Sequence, residues 1–154
     1  MIFEQRFQVG WSHLDSNAHM GNTAYLDLAA NVRVTYLTAA GFSIDSFAKM
    51  HFGPVIRREE LEYFRELRLM DEVRVTLLLA GLSEDASRFR MRNDFWSSNG
   101  SLVARVTSLG GWIDLRVRQL IAPPLSLATA LRALNRASDF ECLPLSRPQP
   151  AVAA

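Results

Sequence analysis

The chain has 154 residues, nearly half of them apolar, with 17 basic against 16 acidic side chains and a single cysteine. That is the length of one domain with a real core. A net charge of +1 argues against broad electrostatic capture of nucleic acid or a membrane surface, and one cysteine rules out an internal disulfide framework.

The first strand is read over Ile2–Gly10. The N-terminus lacks a charged stretch followed by an apolar run, and no apolar segment is long enough to span a bilayer, so the expectation is a cytoplasmic protein with no membrane partner. A polar loop follows, Trp11-Ser-His-Leu-Asp15-Ser-Asn-Ala-His19, which sets one carboxylate four residues from one imidazole. A helix is predicted from Asn22 to Ala40. Tyr25, Leu28, Ala29, Val32 and Tyr36 recur at helical spacing, Leu26, Ala30 and Leu37 widen the apolar surface, and the polar side is narrow. Gly41 suits the helix stop, and a short second helix is predicted near 43–50.

From Gly53 the pattern turns to strands: Val55–Arg65, Glu72–Leu82, Ser87–Trp96 and Leu102–Asp114. Ser97-Ser-Asn-Gly100 is a hairpin turn, Gly81–Ala86 a second turn, and Leu67–Asp71 joins the first two strands of what reads as an antiparallel meander. Residues 125–136 read as an amphipathic helix after Pro123-Pro124. The whole is an α+β domain over 1–140, with a flexible tail over 141–154.

A carboxylate beside a helix N-terminus suits acyl chemistry. The helix end offers unpaired N–H groups and a positive dipole end to a developing oxyanion, and the carboxylate attacks or activates water. A pre-helix Asp also serves as a plain turn residue. His19 is a candidate for orienting Asp15 or polarising water, or for fixing the loop. Three histidines without a close carboxylate pair give no metal site, and no cofactor is implied. Asp27 is a second carboxylate on the helix. Arg88, Arg90 and Arg92 share one strand face, which meets either solvent or phosphates.

The segment His13-Leu-Asp15-Ser-Asn-Ala18-His19-Met-Gly21-Asn22-Thr-Ala-Tyr25, with Gly53-Pro54-Val55-Ile56-Arg57 and Trp112-Ile-Asp114, resembles the hotdog-fold acyl-CoA thioesterases of the 4-hydroxybenzoyl-CoA thioesterase-like branch. The Asp15, His19, Asn22 and Tyr25 positions match that family's loop motif. His13 and Gly21 depart from its first Asp and first Asn, and the Ser83–Arg88 turn lacks the basic cluster that the prototype uses for CoA phosphates.

The resemblance implies a hotdog fold, in which an antiparallel sheet of about five strands wraps one long central helix. It implies hydrolysis of an acyl thioester carried on CoA or on an acyl carrier protein. Asp15 would be nucleophile or general base, and the Asn22 backbone N–H the oxyanion donor. Tyr25, Gly53, Pro54, Val55 and Arg88 are then substrate-binding residues, with Gly53–Arg57 of one subunit lining the site of the other in a homodimer or a dimer of dimers. A non-catalytic acyl-CoA or acyl-carrier-protein binding protein is the alternative. A hydratase on the same fold is less well supported, because the Asp and His setting it needs is absent.

Overall fold

The computed structural model describes residues 1–145. Strand β1 (Phe3–Gln8) leads through a 3-10 turn at Trp11–His13 to helix α1 (Asn22–Ala39) and helix α2 (Ile44–Met50). Strands β2 (Phe52–Tyr63), β3 (Glu72–Ser83), β4 (Arg88–Ser97) and β5 (Leu102–Asp114) follow. A short β6 (Leu120–Ile121), helix α3 (Leu125–Ala133) and strand β7 (Arg136–Leu143) complete the chain.

The sheet order is β1-β3-β4-β5-β2, with β6 on β5 and β7 on β3, seven strands among the described residues. The five long strands form the antiparallel body that the sequence implied. Their order differs from a simple four-strand meander. Strand β2 does not lie beside β3 but crosses to the far side and pairs with β5 from Phe52↔Asp114 to Tyr63↔Ala104. The place next to β3 is taken by β1, from Phe3↔Leu77 to Gln8↔Glu72. Among the described residues the outer edge of β2 has no strand partner.

Alternation decides which side of the sheet holds the core. Val73, Val75, Leu77 and Leu79 on β3, Phe89, Met91 and Phe95 on β4, and Ala104 and Val106 on β5 are all buried against α1, which contributes Tyr25, Leu28, Ala29 and Val32. Each large side chain removed from water in this way contributes about 1.5–3 kcal/mol. Ala29, fully buried, lets the helix approach the sheet closely. α1 ends where predicted. Gly41 sits at φ +95° and donates to the Thr38 carbonyl at 3.0 Å, and Phe42 donates to Leu37 at 2.8 Å, a double closure that only a left-handed residue permits readily. A second aromatic cluster, Phe47, Phe52, Phe89 and Trp112, joins α2 to the other end of the sheet. The indole of Trp112 donates to the Ala86 carbonyl at 3.1 Å.

The C-terminal segment departs from expectation. α3 stops at Ala133, and Arg136–Leu143 forms a strand parallel to the end of β3. The domain therefore runs past the boundary set at 140, and the remainder of the expected tail, 146–154, lies outside the described residues. Long-range pairs hold β7 down. Asp139 accepts from both terminal nitrogens of Arg92 at 2.7 and 2.8 Å, Glu141 lies 3.4 Å from Arg90, and Arg88 donates to the Pro144 carbonyl at 2.9 Å.

Candidate active site

The loop between β1 and α1 is fixed by its own backbone. Asp15 N–H donates to the His19 carbonyl at 2.8 Å, Met20 N–H to Leu67 at 2.8 Å, and Gly21 N–H to His13 at 2.9 Å. The Nδ1 of His13 accepts from Gly10 N–H at 3.0 Å, so this residue braces the loop where the family carries its first Asp. The loop also borders the β2–β3 connection through a bridge between His19 and Arg68.

Within this frame one oxygen of Asp15, Oδ1, accepts from the N–H of Asn17 at 2.8 Å and of His19 at 3.2 Å. Among the described residues Oδ2 has no partner, and the residue is exposed. A carboxylate held by one oxygen and free at the other is oriented without being spent.

Gly21 explains how the carboxylate comes so close to the helix. It is the N-cap of α1 and provides no side-chain cap. A Cβ there would lie 3.2 Å from the Asp15 Cβ, tighter than nearly all real contacts. A Ser, Thr or Asp cap would contribute about 1 kcal/mol to the helix. The Asn22 and Thr23 N–H groups have no backbone partner among the described residues, while the next two, Ala24 and Tyr25, donate to Gly21 at 3.1 and 3.3 Å. The helix end thus presents open donors and its positive dipole next to Asp15.

Tyr25, one turn along α1, is 1% exposed and packs edge-to-face on Phe95 (5.2 Å between ring centres) and on Tyr63 (5.6 Å). Its phenol is pushed up to about 12 by burial first, then by Tyr63, Asp15 and Glu66. It is therefore a neutral hydroxyl at working pH, a donor and not a base. Burial and Asp15 also raise the Tyr63 phenol, so both hydroxyls lie within electrostatic reach of the carboxylate.

The imidazole of His19 turns away from Asp15. Its Nε2 lies 3.1 Å from Oε2 of Glu66, which also faces Arg68 at 3.7 Å. The backbone of His19 and not its ring orients the carboxylate.

The structure brings Asp15, His19, Asn22 and Tyr25 together. Two further neighbours, Tyr63 and Glu66, had no signal in the sequence. Gly53, Pro54 and Val55 lie at the opposite end of β2 from Tyr63, about 30 Å away along the strand within one protomer. Arg88 opens β4 beside the Ser83–Ser87 turn, at the far end of the strand from the Phe95–Tyr25 contact, and one nitrogen of its guanidinium donates to the Pro144 carbonyl. Asp27 is exposed on α1. A cleft of about 620 Å³ opens between Arg6, Arg74 and Trp96, side chains that alternate with the core-facing Phe7, Val73 and Phe95 and so lie on the other face of the sheet from Asp15. Among the described residues no cluster of His, Cys, Asp and Glu could hold a metal, and no helix is long and apolar enough to cross a membrane.

An antiparallel sheet laid against one long helix is the hotdog arrangement of the thioester hydrolases. The chain belongs to the thioesterase-like superfamily, whose family model matches residues 9–131. A search of the curated proteins finds no match. Among solved structures it is similar to a hypothetical protein of Staphylococcus aureus in complex with CoA (TM-score 0.81, 19% identity, 99% of this chain and 96% of that one). It is also similar to a 1,4-dihydroxy-2-naphthoyl-CoA thioesterase from Synechocystis (0.78, 18%, 87% and 98%) and a probable thioesterase from Escherichia coli (0.72, 22%, 84% and 96%). At these identities the likeness is one of fold.

Proposed function

We propose that the protein is an acyl-CoA thioesterase acting as a homodimer, with Asp15 as the reacting carboxylate. The observation that carries this reading is the free Asp15 Oδ2 beside the uncapped Asn22 N–H, two groups of opposite electrostatic character at one helix end. A thioester carbonyl seated there has its oxygen on the Asn22 N–H. Oδ2 then attacks the carbonyl carbon or takes a proton from the attacking water. The products are a free acid and a thiol in either route. One such oxyanion donor is worth about 2.7–4 kcal/mol of transition-state stabilisation. Tyr25, neutral beside the carboxylate, supplies a hydroxyl donor and one wall of the site. The Staphylococcus aureus neighbour in complex with CoA supports CoA as the thiol.

The free edge of β2 supports the dimer. An unpaired strand of 12 residues is a liability unless something covers it. Its middle reads Arg57-Arg58-Glu59-Glu60, which in an antiparallel pair with a second copy sets Arg against Glu on both sides of the two-fold axis. That register, centred between Arg58 and Glu59, brings the Pro54 end of one protomer's β2 beside the Tyr63 end of its partner's, with the β2 bulge at Arg57 between them. The 30 Å separation within one chain then becomes adjacency across the interface.

Complementation tests the composite site. Asp15→Asn and Pro54→Glu proteins, each inactive alone, are mixed and allowed to exchange. Random pairing gives heterodimers in which one of two sites is intact, so about a quarter of wild-type thiol release returns. No recovery under conditions where mass analysis shows heterodimers would refute the shared site.

A further inference from the structure

Two carboxylates compete for one imidazole beside the end of α1. Leu14 and Met20 form an antiparallel bridge, and inside it the Asp15 N–H donates to the His19 carbonyl at 2.8 Å. Asp15 and His19 are therefore opposite partners in a tight hairpin. Side chains opposite one another in such a pair leave the same face, with Cβ atoms about 4.5–5.5 Å apart. Asp15 is thus the carboxylate that the His19 ring would meet first.

The ring is held by Glu66 instead, from the β2–β3 connection, with Nε2 3.1 Å from Oε2. A carboxylate only accepts, so Nε2 carries the proton. The connection is fastened to the hairpin at two more points. The Met20 N–H donates to the Leu67 carbonyl at 2.8 Å, and His19 forms a bridge with Arg68. The Arg68 guanidinium lies 3.7 Å from the same Glu66 oxygen. After burial and Tyr63, Asp15 and Glu66 both raise the Tyr25 phenol, so the two carboxylates lie near one hydroxyl.

Glu66 is exposed, and exposed pairs of this kind contribute little to stability. What the pair decides is the state of Asp15. Oδ1 accepts from the Asn17 and His19 N–H groups, which leaves Oδ2 as the oxygen a released ring would take. An imidazole on Oδ2 occupies the lone pair that has to attack a carbonyl carbon or take a proton from water. We propose that Glu66 is a positioning residue that holds the His19 ring off Asp15 and so keeps Oδ2 free. The proposal rests on the thioesterase reading and concerns the same site. Glu66 acts through His19 and touches no substrate.

The test uses Glu66→Leu, which removes the acceptor, and Glu66→Gln, whose amide oxygen still accepts from Nε2–H. Thermal melts check that both fold. Glu66→Leu is expected to lower kcat for acyl-CoA hydrolysis by about fivefold or more, with KM changed by less than about twofold, because a hydrogen bond to the charged carboxylate must be broken in each turnover. Glu66→Gln is expected to recover most of that loss. In a His19→Ala background there is no ring to release, so Glu66→Leu is expected to add no further loss. No loss from Glu66→Leu, or a loss of the same size with and without the ring, overturns the proposal. NMR of the Asp15 side-chain carboxyl carbon reads the same event without turnover. Its signal is expected to move in Glu66→Leu, to stay in place in Glu66→Gln, and to be indifferent to Glu66→Leu once His19 is alanine. An unmoved signal in Glu66→Leu overturns the proposal. A moved signal in a protein whose wild type releases no thiol from any ester upholds the positioning and removes the hydrolase reading.

Discussion

Gly21→Ala isolates the placement of Asp15 from its chemistry. The new Cβ would be 3.2 Å from the Asp15 Cβ, whereas apolar carbons settle at about 3.5–4.0 Å, so about half an ångström must be found. Asp15 cannot yield by rotating alone. Its Oδ1 is held by two N–H groups, and its own N–H is held by His19. The carboxylate and the Asn22 N–H therefore separate by roughly that half ångström. A misplacement of about 1 Å costs about 10²-fold in rate, so about tenfold is expected in kcat. The stability cost is small, because the Gly21 φ of −88° suits alanine and the N-cap change amounts to about 1 kcal/mol, a few degrees in Tm. Steady-state thiol release beside a thermal melt reads both quantities. A lower Tm with unchanged kcat would refute the claim that the carboxylate must sit against this helix end.

Two further predictions concern the frame. Asp139→Asn should cost about 1 kcal/mol, discounted because Asp139 is largely exposed, and the loss should be seen first as faster hydrogen exchange in β7. Arg92 holds the Asp139 carboxyl at about 2, so its contribution is present above the unfolded value near 4 and is lost as pH falls toward 2. The Tm gap between wild type and variant should accordingly close over that window, and a gap that persists at pH 2 would contradict the assignment. Gly110→Ala places a Cβ on the Val55 carbonyl oxygen and against the Phe89 ring, so β2 must part from β5 there. We expect a loss of about 3 kcal/mol or more, read in a denaturant titration, with dimerisation weakened as well. A stable dimer in that variant would contradict the role of β2 as interface.

Much of the frame was legible because it depends on local pattern. The period-2 alternation of Val73, Val75, Leu77 and Leu79 announces β3, the Ser97–Gly100 turn announces the β4–β5 hairpin, and α1 is marked by its apolar spacing and by Gly41. The position of β2 was not legible. Alternation gives a strand its faces but not its neighbours, and the crossing from α2 to the far side of β5 leaves no local trace. Pro54 is tolerated in β2 because, among the described residues, the outer edge of that strand has no strand partner for the missing N–H. β7 was hidden for a related reason. It is held by Arg92–Asp139 and Arg90–Glu141, pairs that lie some fifty residues apart in the chain.

The site divides in the same way. Asp15, Asn22 and Tyr25 fall in one contiguous motif. Glu66 and Tyr63 come from the β2–β3 side and meet the motif only after folding. Arg88, read as facing either solvent or phosphates, donates from one guanidinium nitrogen to the Pro144 carbonyl of the C-terminal segment.

The central claim is that Asp15 performs the chemistry. Its most direct measurement is the single-turnover rate of acyl-CoA hydrolysis by Asp15→Asn at saturating enzyme. The amide keeps the Oδ1 contacts to Asn17 and His19, so folding and substrate affinity should persist. The account predicts a fall of about a thousandfold or more in the rate of thiol release, with a near-wild-type melt. A folded Asp15→Asn protein that releases thiol at the wild-type rate would contradict it.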